Sequence, residues 1–394
     1  MPHAAAHAQS SMRHEVIERA RALAPAFAAR AEAAEEARQI PRESVQEMLD
    51  AGFARILMPP RFGGYGLDFE TWYDVVLEIS KADASHGWCA SLLIHHAHLI
   101  AQYPEDMQQA MWAKSPDVAI AASFAPRAQI TRVDGGYRIT GQNSTFASGV
   151  NHSSWVMVGG MDTAGAAPEW LLLMIPSGEF SVRDVWHTAG MRGTGSNTIV
   201  TDNVFVPRAR ALSLNELREG KGAGGAIHEG QIYRTPFFFY APLTFAAPML
   251  GAALGAYEHF REWTKPRKAI DGSAVAEKTS VQVRMARAAA DLDAAELLLR
   301  RASRTPSSLE AVTPELLARS VRDFARVAEI TVEAIDTLIA LSGTAGFASS
   351  HPIQRAWRDI HFSSTHISVN PEMNFAHFGR IELGLGRDPS RPFF

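Results

Sequence analysis

The residues of this sequence best suited to move a proton near neutral pH are histidines: His361 and His366 in the run RDIHFSSTHISVN, and His95, His96 and His98 in the run LLIHHAHLI. An imidazole with an unperturbed pKa of about 6.5 is neutral, and so basic, at working pH, whereas a carboxylate needs its pKa raised to do the same work. His361 and His366 point to different faces of a continuing helix, so only one of them serves a given site. A metal is not expected at the HH-x-H run, because rings on adjacent helical residues splay apart and the only cysteine, Cys89, supplies no thiolate set. A second constellation occupies residues 186–207, WHTAGMRGTGSNTIVTDNVFVP. Gly193 and Gly195 allow backbone to approach a flat or charged ligand, and the hydroxyls of Thr194, Ser196 and Thr198 can bond its polar edge.

These groups need elements to hold them. Apolar positions near helical spacing predict a helix over 10–34, which Pro25 must kink or divide, and another over 43–51 between Pro41 and Gly52. After a proline- and glycine-rich loop come helices over 69–82 and 85–102; the second places Trp88, Leu92, His95, His96 and Leu99 near one face, without separating His95 from His96. From Pro116 the period falls to two. Strands are expected over 118–124, 130–133, 137–140, 155–158, 170–175, 180–185 and 199–206, with Asp134, Gly135 and Gly136 as a hairpin turn. Beyond Phe237 the pattern is helical again, over 241–263, 274–301, 314–341, 352–366 and 373–385. Long helices with short breaks predict a four-helix bundle, and their surplus apolar surface predicts oligomerisation. Gly220, Gly222 and Gly225 satisfy G-x-G-x-x-G, but they follow a helix-like run and no acidic residue closes a βαβ unit, so no dinucleotide fold is expected.

Composition narrows the function classes. A chain of 394 residues with 46% hydrophobic residues builds two or three domains, and a formal net charge of −4 gives no basic field for nucleic acid. One cysteine fits a reducing, cytoplasmic setting. The N-terminus lacks a hydrophobic signal core, and no run is expected to approach the roughly 18 uncharged apolar residues of a membrane span.

The phrase W-x-x-x-G-x-R-G-T-G-S followed by V-F-V-P, and the earlier P-x-x-x-G-G-x-G, resemble the acyl-CoA dehydrogenase fold. Within it the chain is similar to the oxygenase components of two-component flavin-dependent aromatic hydroxylases. The resemblance implies a mainly α chain with a middle β domain: an N-terminal helical domain (1–116), a β-barrel-like domain (117–228) and a C-terminal four-helix bundle (229–394) that builds a homotetramer. A thioester dehydrogenase of this fold carries a glutamate base after an R-D pair; here Arg358 and Asp359 are followed by a segment with no glutamate, and His366 stands near the base's place. The resemblance therefore implies reduced flavin (FADH2 or FMNH2) from a separate flavin reductase, O2, a C4a-hydroperoxyflavin and an aromatic or polycyclic substrate. The alternatives are an acyl-CoA dehydrogenase-like desaturase and a non-catalytic flavin-binding protein. It further implies His366 as the base, His96 as its companion (eight residues after Trp88), and Ser148 of TFASG at flavin N5. Trp88, Gly149, Thr194 and Ser196 then hold cofactor, and Arg267 reaches the flavin pyrophosphate of a neighbouring subunit. Ser144 stands where the family often has tryptophan, which bears on the pocket wall and substrate choice.

Overall fold

The computed structural model describes residues 2–165, 167–308 and 311–388. Five helices lead: α1 (Pro2–Ala37), α2 (Arg42–Asp50), α3 (Phe69–Ala82), α4 (Ala84–Ile100) and α5 (Glu105–Trp112). Asp68 and Asp83 start α3 and α4 by accepting the N–H groups of Thr71 (2.8 Å) and His86 (3.0 Å), which satisfies donors that a helix N-terminus leaves free. Pro25 does not divide α1; the helix runs through it. Burial of Val16 and Ala20 before the proline, and of Phe27, Ala31 and Ala34 after it, holds both halves to one bed and offsets the lost backbone bond.

Seven strands follow: β1 (Ile120–Val133), β2 (Gly136–Ala147), β3 (Trp155–Asp162), β4 (Glu169–Pro176), β5 (Ser181–Arg183), β6 (Asn197–Pro207) and β7 (Ala211–Ser213). They form one sheet in the order β5-β6-β2-β1-β3-β4-β7, antiparallel except for the β1–β3 pair. The expected strands over 118–124 and 130–133 are one continuous strand whose register against β3 shifts between Ser123 and Ala128. Ile139, Val156, Leu171, Leu173, Ile199 and Val206 share one apolar core. Because β4 and β6 are not neighbours in the sheet, their meeting in that core requires the sheet to coil round on itself.

The chain then forms short α6 (Leu214–Arg218) and α7 (Phe237–Tyr240), followed by α8 (Leu243–Thr264), α9 (Thr279–Ser308), α10 (Pro314–Ser342), α11 (Pro352–Ser364) and α12 (Pro371–Glu382). Helices α8, α9 and α10 pack pairwise, and α11 and α12 lie on α10. Helix α3 packs on α8, so one apolar core serves both helical regions, with Trp72, Val76, Leu250 and Phe260 fully buried in it. Against expectation, 237–264 is long and apolar enough to cross a membrane by length and composition; 83% of its most apolar window is buried inside the fold. Short α5 and β7 lie outside the expected elements, each having too few residues to show a period. The glycine run at 220–225 is a turn: a Cβ at Gly222 would come 2.7 Å from Gln102 Oε1, and its glycines serve packing against α4's end.

Candidate active site

Where α4, the 186–197 loop, the edge of the sheet and α11 converge, they enclose a cavity of about 460 Å³. Its walls are aromatic, with Phe124, Trp170, Phe237, Phe238 and Phe245 among them, and no Asp or Glu borders it among the described residues. Trp88, His96, Ser148, Thr194, Ser196 and His366 all border this space, six of the eight residues that the family resemblance assigns to catalysis or to the cofactor.

The hydroxyls form a chain whose direction is fixed at both ends. Trp88 Nε1–H can only donate, and it donates to Ser148 Oγ (3.1 Å). Met191 O can only accept, and it takes the Thr194 hydroxyl proton (2.8 Å). Ser196 Oγ lies 2.7 Å from both Ser148 Oγ and Thr194 Oγ1. Since Thr194 spends its proton on Met191, Ser196 donates to Thr194 and Ser148 donates to Ser196. Ser148 Oγ is left with one free lone pair, an acceptor.

Two imidazoles are polarised in opposite senses by the same reasoning. His96 Nδ1 is 2.6 Å from Ile120 O, so Nδ1 carries the hydrogen and Nε2 keeps its lone pair toward the cavity. His366 lies beyond the end of α11 and caps the turn that follows it, Nδ1 accepting the Ser368 N–H (3.2 Å), so its hydrogen is on Nε2. Burial pushes both rings down to about 4, so both are neutral. The free acceptor is therefore on His96 Nε2 and the free donor on His366 Nε2, whereas a base at His366 would need an acceptor there. His366 is held by stacking on Phe245, ring centroids 3.7 Å apart and 26° between planes.

Other expected site residues are placed differently. His95 also borders the cavity, its ring stacked on Trp72 (5.3 Å) and Phe237 (5.8 Å) with Nδ1 at Thr244 Oγ1 (2.9 Å), whereas His98 donates to Ile232 O (3.0 Å) away from it, so the three neighbouring rings have three separate partners. His361 pairs with Asp336 (2.8 Å) away from the cavity. Gly149 has its N–H bound to Thr194 O (2.8 Å) and so offers no free N–H to a cofactor. Gly193 and Gly195 face the N-terminal helices: a Cβ would come 2.9 Å from Ser85 Cβ and 3.2 Å from Arg38 O, respectively, so they serve helix contact, not ligand approach. Thr198 is buried in β6 and Ser144 lies inside the β domain, its Oγ unpartnered; neither borders the cavity. Arg267 is remote from Ser148, its Nη2 on Ser342 O (3.0 Å), its guanidinium 3.8 Å from the Trp263 ring centroid and its Nη1 buried without a partner.

Sequence reasoning missed Phe146, although it is the aromatic of the same TFASG run. It borders the cavity, is 62% exposed and holds φ +65°, a conformation that costs a non-glycine residue energy. Trp186 stands edge-on to it (6.0 Å) and edge-on to Phe362 (5.5 Å). Behind the wall, fully buried Asp359 takes the Met191 N–H at 2.6 Å and so ties α11 to the loop.

Known proteins share the sequence and the fold of this chain. The acyl-CoA dehydrogenase N-terminal domain matches residues 8–115 and the acyl-CoA dehydrogenase C-terminal domain matches residues 243–371. The oxygenase subunit HsaA of a flavin-dependent monooxygenase from Mycobacterium tuberculosis is 35% identical, over 92% of this chain and 94% of that protein. The oxygenase component of an FADH2-dependent resorcinol hydroxylase from a Rhizobium species is 32% identical over 98% of both chains. The crystal structure of 3-HSA hydroxylase from Rhodococcus sp. RHA1 superposes with a TM-score of 0.91 at 33% identity, covering 97% of this chain and 99% of that one.

Asp359 has a testable pH signature. Burial, with Asp83 nearby, pushes its carboxyl up to about 7 against the opposing Met191 bond and Arg358, while an unfolded aspartate titrates near 3.9. The folded chain thus keeps a proton that the unfolded chain has released, and that stability is present below about pH 4 and lost as pH rises through 7. Asp359→Asn keeps the acceptor and removes the ionisation. Wild type should lose stability relative to the variant between pH 5 and 8.5, by at most roughly 3 kcal/mol. Parallel melting curves across that range would show a carboxylate ionised throughout.

Proposed function

Because the chain belongs to the acyl-CoA dehydrogenase family and is, within it, the oxygenase component of a two-component flavin-dependent monooxygenase, we propose that it hydroxylates a phenolic ring, single or polycyclic, seated between His96 and His366. Its co-substrates are reduced flavin, made by a separate reductase, and O2. The observation that carries the phenol is the opposed polarity of two neutral imidazoles in an aromatic-walled cavity: a phenol O–H meets the acceptor His96 Nε2. That other hydroxylases of this kind act on resorcinol or 3-HSA, as their names state, supports the class. A desaturase reading lacks its base, since no carboxylate borders the cavity among the described residues.

Reduced flavin, when bound, supplies the two electrons with which O2 is divided between the arene and a molecule of water. The residues fit it. Reduced flavin carries a hydrogen on N5 and oxidised flavin does not, so the free lone pair that the hydroxyl chain leaves on Ser148 Oγ favours the reduced form. Phe146, held out in a strained conformation beside Trp186, offers an apolar face to a flat ring. The aromatic walls keep water from the reacting edge. His96 Nε2 draws the phenol proton as the ring is attacked, and a developing anionic oxygen beside it raises its hold on that proton. His366 Nε2–H donates toward the oxygen being transferred.

Assembly and setting complete the reading. The chain works as a homotetramer in which Arg267, with Nη1 unpartnered, extends to a flavin phosphate of a neighbouring subunit. Exposed Val283 and Leu297 on α9 and Ile270 beside Arg267 support an apolar subunit contact. A lone cysteine, which forms no disulfide within the chain, supports a cytoplasmic setting.

Four sets of measurements test these assignments. The function as a whole is tested by mixing the protein anaerobically with reduced flavin and a phenol, then adding O2 and measuring hydroxylated product. In Ser148→Ala, loss of one hydrogen bond should weaken reduced-flavin binding about 2- to 12-fold, weaken oxidised-flavin binding less, and release more hydrogen peroxide per product. A fully coupled variant would remove Ser148 from N5.

His96→Ala should lower product formation from a phenol about 100-fold or more at pH 7, with recovery at high pH as the substrate ionises unaided. His366→Gln, whose amide still donates, should keep more activity than His366→Ala, and the wild-type rate should show no histidine titration between pH 5 and 8. A wild-type rate in His96→Ala with His366→Gln as inactive as His366→Ala would return the base to His366.

Light scattering should give four times the 43.0 kDa chain mass. Arg267→Ala should weaken binding of reduced FMN or FAD and leave reduced riboflavin, which has no phosphate, unchanged. A monomer, or equal loss for all three, would defeat the cross-subunit role.

A further inference from the structure

A second cavity, of about 30 Å³, lies beside the first and shares two lining residues with it, Leu92 and Ser148. Its other walls are mostly apolar, supplied by Ile40 and Met48 near α2, Cys89 and Leu93 of α4, and Ala119 and Ile120 at the start of β1. The polar groups that border it each have a partner within the protein, although Ser148 Oγ keeps the free lone pair of the hydroxyl chain. Gly149 N–H is on Thr194 O (2.8 Å), Ser153 Oγ on Gly149 O (3.1 Å), His152 Nε2 on Ile40 O (2.9 Å), and Ser148 Oγ within the hydroxyl chain. Cys89, its thiol pushed up to about 12 by burial, brings no charge.

A space of this size admits a water molecule, but an ordered water needs two to four polar partners, and most of the polar groups here already have one within the protein. A small apolar molecule needs none. When flavin and arene fill the larger cavity, O2 must reach the flavin by a way that does not cross the substrate. The small cavity offers one, separated from the larger by Leu92 and by Ser148, the residue assigned to flavin N5.

We propose that this cavity is a dioxygen site, from which O2 passes Leu92 to the reduced flavin. The inference rests on the placement of the flavin's reacting edge at Ser148. The site binds O2 without covalent change, and two-electron reduction follows only at the flavin.

Xenon, an apolar probe, tests the site directly: wild-type crystals under xenon pressure should show an atom among Leu93, Ala119 and Ile120. Leu93→Phe and, independently, Ala119→Ile fill the space from two different elements, neither residue bordering the larger cavity. Each folded variant should lose the xenon atom and bind reduced flavin as wild type does. Stopped-flow mixing should show the second-order rate of bound reduced-flavin oxidation by O2 slowed several-fold. No xenon in the wild-type cavity overturns the proposal, as do filled variants that oxidise at the wild-type rate. Slowed oxidation in the filled variants, with Ser148→Ala silent, would uphold the site while sinking the assignment of Ser148 to N5.

Discussion

Everything at the site depends on one buried hydrogen bond, from Met191 N–H to Asp359. Met191 sits at the tip of the 186–197 loop with φ +53°, and it uses both its backbone groups. The N–H goes to α11, and the carbonyl receives the Thr194 hydroxyl and the Trp186 indole (2.9 Å). If Met191 turned, the hydroxyl chain would lose the acceptor that sets its direction, and Ser148 would no longer be obliged to present a lone pair. Arg358 braces the same loop by donating to Ala189 O (2.8 Å) and to Glu35 of α1. Gly190 is required there, because a Cβ would come 2.2 Å from Arg358 O. The chemistry-bearing serine is thus aligned by three separate parts of the chain: Trp88 of α4, the loop, and Asp359 of α11.

That convergence explains how much of the molecule could be read in advance. Helices, strands and their order follow from local period, and so does the grouping of Trp88 with His96. The hydroxyls of 194–196 and the serine of TFASG could be singled out because their type and neighbours carry the signal. What could not be read is what each donor and acceptor faces across the fold. The roles of His96 and His366 turn on Ile120 O and Ser368 N–H, the second only two residues away yet fixed by a turn that ends α11. Gly149, Gly193 and Gly195 looked like ligand-approach glycines, but their partners, Thr194 O and the residues of α1 and α4, lie far off in sequence or are set by long-range packing. Pro25 was overruled by burial on both sides of it. Phe146 was overlooked because strain is a property of φ, which composition does not reveal.

A cavity of this kind uses imidazoles because of what burial does to charge. Burial in an aromatic-walled space disfavours any charge, and its effect on the two proton-handling side chains is opposite in usefulness. Asp359, just behind the wall, shows what happens to a carboxyl here: it is pushed up to about 7, toward the protonated form that has no proton-accepting role. The same environment pushes His96 and His366 down to about 4, which leaves them neutral. A neutral imidazole is at once a donor and an acceptor, and a single backbone bond to Nδ1 decides which function Nε2 presents. Two such rings with opposite backbone partners therefore give the cavity a proton acceptor and a proton donor, neither of them charged, with Arg127 the cation among its lining residues. A cavity that holds an uncharged ring, admits O2 and keeps water out is compatible with that pair, and a free carboxylate in its wall would draw in the water or counter-ion that the aromatic side chains exclude.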